Sequence, residues 1–341
     1  MKKTLSAQEQ YYRTVIFSLG ITMIWFLLLM NLFGLLLSAL QLVTETLPIT
    51  KVTADVIYQL SYAVGYLLVF MIPVAVLKRS LKRRGGYYHS MRTQIRLSPY
   101  LPAILLGGMV LIWSQSYINS AMVSIFNYSA FSAEVLWDQN AEYTAYQLVL
   151  QFIVIAVVPA FCEEFLFRGA ILTNLLPFGR GNAILISSLL FAVMHQNAEQ
   201  ILYAFAAGIL LGVVYERTES IWNCVLLHLV NNFSSFAIGI IARKLHSNAE
   251  LAGALLETVL GFLGMACIVI LVKSLSPRKP DFEKGIFGKT LPASDAYASC
   301  PVSARQSLRL FFCFPMVLFF VFAAVQILAL IGMSVVFSYG S

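Results

Sequence analysis

Three ionisable side chains, Glu163, Glu164 and Arg168, stand within six residues of one another in the apolar run Val157-Val-Pro-Ala-Phe-Cys-Glu-Glu-Phe-Leu-Phe-Arg-Gly169. A charge within a membrane span is costly, so it is a functional hypothesis by default. Two later apolar runs carry groups of matching chemistry. One holds His195, in Phe191-Ala-Val-Met-His195; the other holds His228 and Asn232, in His228-Leu-Val-Asn-Asn232. A carboxylate withdrawn from water is a stronger base and can take a proton from a water molecule. A neighbouring His can orient or deprotonate the same water. A second His and an amide are donors suited to a developing oxyanion. Base, water and oxyanion donors together point to amide hydrolysis inside the membrane. No G-x-S-x-G elbow occurs, so a serine nucleophile is not the first choice.

Spacing gives these groups direction. Residues four apart share a helix face. Glu164 therefore faces Arg168, and His228 shares a face with Asn232. Glu163 points about 100° round the helix from Glu164. Pro159 stands four residues before Glu163, removes the bond to the Ile155 carbonyl and predicts a kink there. Depth gives a second constraint. At ~1.5 Å per residue, Glu163, His195 and His228 all lie roughly 14–20 Å from the inner ends of their helices. Three helices thus bring polar groups to one level.

Other readings of the same residues stay open. Glu163, His195 and His228 form a His₂Glu set of the kind that holds catalytic zinc, although the H-E-x-x-H signature is absent. Carboxylates and His at mid-membrane also suit a proton-coupled transporter, although no inverted repeat is visible. A non-enzymatic immunity or scaffold protein could use the same cavity for a partner. Taken singly, Glu164–Arg168 could fix helix geometry and Asn232 could be interhelical glue.

The elements that must position these groups are transmembrane helices. The chain has 341 residues, 59% hydrophobic and 11% charged, against about 25% charged in soluble domains. The fold class expected is an all-α polytopic bundle of about eight or nine spans. The nine candidates are 14–42, 54–77, 100–126, 145–176, 182–196, 198–215, 219–242, 251–273 and 308–337. The first is too long for a signal peptide and reads as a retained span. Helices four to seven carry the polar set, with Asn197 as the turn between two short ones. Ala204, Gly208 and Gly212 form a small-residue stripe that reads as close helix packing. The chain divides into 1–144, a core of 145–245, and 246–341 with a cytoplasmic linker at 274–307 rich in Pro.

The net charge of +7 does not signal nucleic acid, because the basic residues lie between spans. With the N-terminus inside, inner segments carry 20 Lys and Arg and outer segments 3, of the 23 in the sequence. That bias is a strong positive-inside signal. The loop 127–144 is acidic. The expectation is a multi-pass protein of the bacterial cell membrane with a cytoplasmic N-terminus. The five cysteines lack C-x-x-C spacing, which predicts neither a disulfide framework nor a cysteine metal site.

In this order, Glu163-Glu164-x-x-x-Arg168, Phe191-x-x-x-His195 and His228-x-x-x-Asn232 resemble the three motifs of the CPBP intramembrane proteases. That family includes the CAAX prenyl endopeptidases and the bacterial Abi bacteriocin-immunity proteins. The resemblance covers roughly 145–240. It implies an intramembrane endopeptidase acting on a peptide or lipidated peptide. It implies Glu163 as the catalytic glutamate, with His195 helping it to activate water. His228 and Asn232 would stabilise the oxyanion, and Glu164 with Arg168 would be a supporting ion pair. It further implies a glutamate mechanism without a cofactor, zinc being the family's older description.

Overall fold

A computed structural model describes residues 5–93, 95, 101–102, 105–108, 144–245 and 302–339. Every regular element among them is helical. α1 (Ala7–Thr46) begins at a capping box, in which the Ser6 hydroxyl accepts the Glu9 N–H and Glu9 accepts the Ser6 N–H. α2 (Lys51–Arg83) begins at Thr50, whose side chain accepts from the Thr53 N–H. α3 runs as one 34-residue span, Ala145–Phe178. After it come α4 (Arg180–Met194), α5 (Ala198–Thr218), α6 (Ile221–Leu245), α7 (Ala304–Phe311) and α8 (Phe314–Tyr339).

Four of these helices, α1, α2, α3 and residues 200–218 of α5, are long and apolar enough to cross a membrane. A fifth span results if the bent pair α7–α8 is taken as one. Large apolar side chains such as Leu28, Leu35, Val64 and Leu68 stay on the outside. In water such a surface would be unstable, whereas lipid meets it at no cost. The chain is an integral membrane protein with a helical bundle.

The eight or nine expected spans are not all to be found in that bundle. The third lies almost wholly, and the eighth entirely, outside the described residues, as do the loop 127–143 and most of 274–307. The fifth, α4, has only 15 residues, too few to cross alone. The seventh corresponds to α6. The ninth begins at 314 rather than 308, after a 72° bend. The reason is local: Phe312 and Cys313 leave the helix, and Pro315 suits only a first turn. The preceding α7 is short and amphipathic. It is fastened to α1 by Tyr12 and Ser307, whose hydroxyls are 2.6 Å apart, and by Arg309 donating to Glu9 at 2.6 Å.

Packing sets α1 between α2 and α8. Phe26 of α1 meets Phe70 of α2 edge to face with centroids 5.1 Å apart. Gly20 lies where a Cβ would fall 2.7–2.9 Å from the backbone and ring of Pro315 and Met316, so α1 and α8 touch backbone to backbone. The small-residue stripe of α5 works likewise. Gly208 faces Ser188 and Gly212 faces Ile184 of α4.

After α2 the chain turns at Gly85 (φ +71°) and crosses beneath the bundle as an extended strap, residues 87–93. Asn174 of α3 brackets His89, accepting its N–H at 2.8 Å and donating to its carbonyl at 3.1 Å. The Arg92 N–H donates to the Tyr215 hydroxyl, and the Arg92 carbonyl accepts the Ile221 N–H. Trp222 Nε1 donates to the Thr93 carbonyl at 2.8 Å. Burial pushes the His89 imidazole down to about 4.

Candidate active site

The segment that carries the glutamates is wound unusually. Within α3, Ile153–Val157 and Phe165–Leu172 are π-helical, and they bracket the α-helical stretch Val158–Glu164. The Val158 N–H donates to Ile153 and the Thr173 N–H to Arg168, each five residues back. The helix reaches Pro159 through a π-turn, where the sequence predicts a simple kink. A proline ring collides with the carbonyl four residues before it; the wider π-turn makes room without breaking the span. Such turns recur at functional sites. They also rotate the residues beyond them, so the direction of each side chain cannot be taken from a 3.6-residue wheel.

The two glutamates diverge. Glu163, 5% exposed, turns towards α2. Its Oε1 accepts a hydrogen bond from the Tyr66 hydroxyl at 2.6 Å. Its Oε2 has no hydrogen-bond partner among the described residues and stands 3.9 Å from His228 Nε2. Glu164, fully buried, turns towards the other wall. Its Oε1 accepts from Arg168 Nη1 at 2.9 Å and contacts His228 Nδ1 at 2.8 Å. His228 therefore lies between the two carboxylates, one ring nitrogen towards each.

Arg168 is the largest fully buried side chain among the described residues. Besides Glu164 it donates through Nη2 to the Gly208 carbonyl at 3.2 Å. Its guanidinium lies 4.4 Å over the Phe191 ring. The same ring meets His195 edge to face at 5.0 Å and His228 at 6.2 Å. Phe191 is thus the common surface on which Arg168, His195 and His228 are set. Arginine suits this place because its plane can stack while its edge donates.

His195 caps α4, and the next turn is made by Gln196, one of two non-glycine residues with positive φ (52°) among the described residues. The His195 Nδ1 is 2.8 Å from the Phe191 carbonyl. A carbonyl only accepts, so Nδ1 carries the proton, and Nε2 of the neutral ring is left with a lone pair. Asn232, half-buried on α6, accepts from Asn231 Nδ2 at 3.1 Å, while Asn231 Oδ1 accepts from Tyr203 at 3.0 Å. The Asn232 amide hydrogens are therefore not consumed by that chain of bonds.

The arrangement joins Glu163, Glu164, Arg168, His195 and His228 through direct contacts and the shared Phe191 ring, with Asn232 one turn past His228. Three participants lie outside the sequence motifs. Tyr66 binds Glu163 from 97 residues away, and Tyr203 with Asn231 orders the amide of Asn232. The signal for Tyr66 is present but quiet: Asp55, Gln59, Tyr62 and Tyr66 form one helical stripe of an otherwise apolar span. Among the described residues no three His, Cys, Asp or Glu side chains are gathered as metal ligands. His195 Nδ1 and His228 Nδ1 are each turned to an oxygen of the protein. Cys162, Cys224 and Cys313 are free thiols.

Residues 145–234 match the sequence model of a family described as type II CAAX prenyl endopeptidase, Rce1-like. Neither curated proteins nor solved structures give a match to the chain.

Proposed function

We propose, from the match of residues 145–234 to the type II CAAX prenyl endopeptidase model, that the chain is a CPBP/CAAX-type protein and a glutamate-type intramembrane endopeptidase that cleaves a peptide bond close to the membrane. The observation that carries this is the free Oε2 of Glu163, buried, beside His228 Nε2. Tyr66 holds the other oxygen and so fixes the carboxylate plane.

The chemistry runs on this chain's own groups. Water hydrogen-bonds to Glu163 Oε2 and to the lone pair on His195 Nε2. Glu163 takes its proton as the oxygen attacks the scissile carbonyl carbon. The carbonyl becomes a tetrahedral oxyanion. Asn232 supplies amide hydrogens to it, and His228 supplies its Nε2 hydrogen. Glu164, an acceptor, keeps a hydrogen on His228 Nδ1, so His228 donates from Nε2 as the imidazolium. When the C–N bond breaks, the proton on Glu163 passes to the leaving amine. Glu164 and Arg168 hold His228 and Phe191 in place throughout. No cofactor is needed for these steps.

The substrate class is a peptide that presents its bond at membrane depth, either a lipidated CAAX-type tail or a peptide precursor. The charge bias of the sequence supports a cytoplasmic N-terminus, and a bacterial cell membrane is the setting we assign.

The test is cleavage of candidate peptides by purified protein in vesicles. Glu163→Ala and Glu163→Gln are expected to lose at least a thousandfold in kcat while retaining the wild-type thermal midpoint. Full activity in either variant sinks the glutamate mechanism. Inhibition by a chelator, reversed by zinc, would replace it with the metal version. A biological effect that survives in both Glu163→Ala and His228→Ala would mean a binding protein.

A further inference from the structure

A second polar feature lies outside the motifs, and its α2 side lies outside the matched segment 145–234. On α2, Asp55, Gln59, Tyr62 and Tyr66 are spaced four, three and four apart, which is one helix face. α3 lies alongside α2 in the same direction, since Asp55 meets Gln147 near the two helix starts and Tyr66 meets Glu163 further along. The two helices therefore share a seam from their N-caps, Thr50 and Thr144, down to the catalytic carboxylate.

The mouth of the seam is fully engaged. Asp55 accepts from Gln59 Nε2 at 3.0 Å and from Gln147 Nε2 at 3.3 Å. Gln147 Oε1 accepts from the Thr144 N–H and hydroxyl. One turn further in, the position is different. Gln59 is 5% exposed and Gln151 is 3% exposed, yet Oε1 of each has no hydrogen-bond partner among the described residues. The Gln59 amide cannot be turned round to cure this, because its nitrogen is held by Asp55. Gln151 stands on the face of Gln147, one turn on. Beyond them come the stacked rings of Tyr62 and Tyr66, 5.6 Å apart, and then Glu163.

A buried amide oxygen without a donor is costly, and two in one seam of a membrane protein are not packing residues. They ask for a ligand that is small and donates hydrogen bonds. Water satisfies buried polar groups in this way, typically with two to four polar partners. The neighbouring face of the same two helices is the opposite in kind. An apolar groove of about 500 Å³ opens there, lined by Val56, Leu60, Tyr146, Val149, Leu150 and Ile153. Lipid chains suit that groove, and they cannot satisfy Gln59 or Gln151.

We infer that the α2–α3 seam is a binding path for water, running past Gln59 and Gln151 to Tyr66 and Glu163. It enters from the helix ends remote from the basic cluster Lys78–Arg84. This deepens the reading of Glu163 as the base, because hydrolysis at a buried carboxylate consumes one water per turnover. Tyr66 is a positioning residue at the inner end of the path, holding Glu163 Oε1 so that Oε2 meets the arriving water.

Two measurements test it, and they fail separately. In a cysteine-free background reconstituted into vesicles, single cysteines replace Gln59, Gln151 or Leu60. A small charged methanethiosulfonate is added on both sides. It reacts with thiolates, which form only where water reaches. Gln59→Cys and Gln151→Cys are expected to react at least tenfold faster than Leu60→Cys, whose side chain faces the apolar groove. Equal rates at the three positions overturn the path whether or not the protein is a protease. The second measurement is cleavage by Gln151→Leu. A several-fold fall in kcat with KM unchanged is expected; a raised KM with kcat unchanged would make the seam a substrate site and overturn the inference. If no peptide is cleaved even by wild type, the protease reading fails and the labelling alone decides the seam.

Discussion

Arg168 shows how much of the site depends on one side chain. It balances Glu164, donates to the Gly208 carbonyl and lies over Phe191. Removing one partner of a buried ion pair typically costs about 3–5 kcal/mol, because the other charge is left uncompensated. Arg168→Met should lower the thermal midpoint in detergent accordingly and abolish cleavage. Arg168→Lys keeps the charge and loses the second donor and the stacking plane. It should lie between wild type and Arg168→Met, with a cost of about 2 kcal/mol. Equal midpoints for the two variants would mean that geometry, and not charge alone, carries the stability. The contact between Glu164 and Arg168 is legible in their spacing of four. The contact between Tyr66 and Glu163 is not, because a tyrosine in an apolar span is unremarkable and nothing local selects its partner.

At the scale of elements, the site is held by helices that touch closely. A Cβ at Gly208 would lie 2.9 Å from Ser188 Cβ and 3.0 Å from its Cα. Backbone cannot swing aside, so Gly208→Ala must push α4 from α5, and overpacking of this kind costs about 1–3 kcal/mol. It also moves the carbonyl to which Arg168 donates. Loss of activity larger than the loss of stability, read from kcat and thermal midpoint on the same preparation, is the expected outcome. Gly212→Ala meets only the side chain of Ile184 and should be milder. The close contact of α4 and α5 is legible in the Ala204, Gly208 and Gly212 stripe. The π-turns of α3 are not, since a hydrophobic run of 34 residues looks the same whether its turns take 3.6 residues or more. The boundary between α7 and α8 is hidden for a related reason: Leu308, Leu310 and Phe311 continue the apolar composition of α8, and only Pro315 marks the break.

On the scale of the whole molecule, the strap after α2 closes the basic end of the bundle, and it carries a pH dependence. His89 titrates near 6.5 in the unfolded chain and at about 4 when buried. Above pH 6.5 both states are neutral and the strap contributes its full stability. Between pH 6.5 and 4 the unfolded state binds a proton that the folded state does not, so stability falls as the pH falls and levels off below. The loss reaches about 3 kcal/mol. Thermal midpoints measured in detergent from about pH 7 to about pH 5 should decline, and His89→Gln should flatten that decline. A slope unchanged in His89→Gln would assign it to other groups. The strap itself is poorly legible in sequence, because 84–93 reads only as a basic loop. Its fixed course comes from Asn174, Tyr215 and Trp222 on three other helices.

The notch at Gly20 has a consequence for how the protein is made. α1 leaves the ribosome long before α8, yet the two meet backbone to backbone there. Tyr12 is bonded to Ser307, and Gln326 donates to Asn31. α1 must therefore enter the lipid with one face unclaimed and stay that way while all of the intervening chain is synthesised. Only the arrival of α7 and α8 closes that side of the assembly. A chain released early by a stop codon before residue 304 would insert and still lack this wall, leaving that face of α1 as a ready mark for membrane quality control.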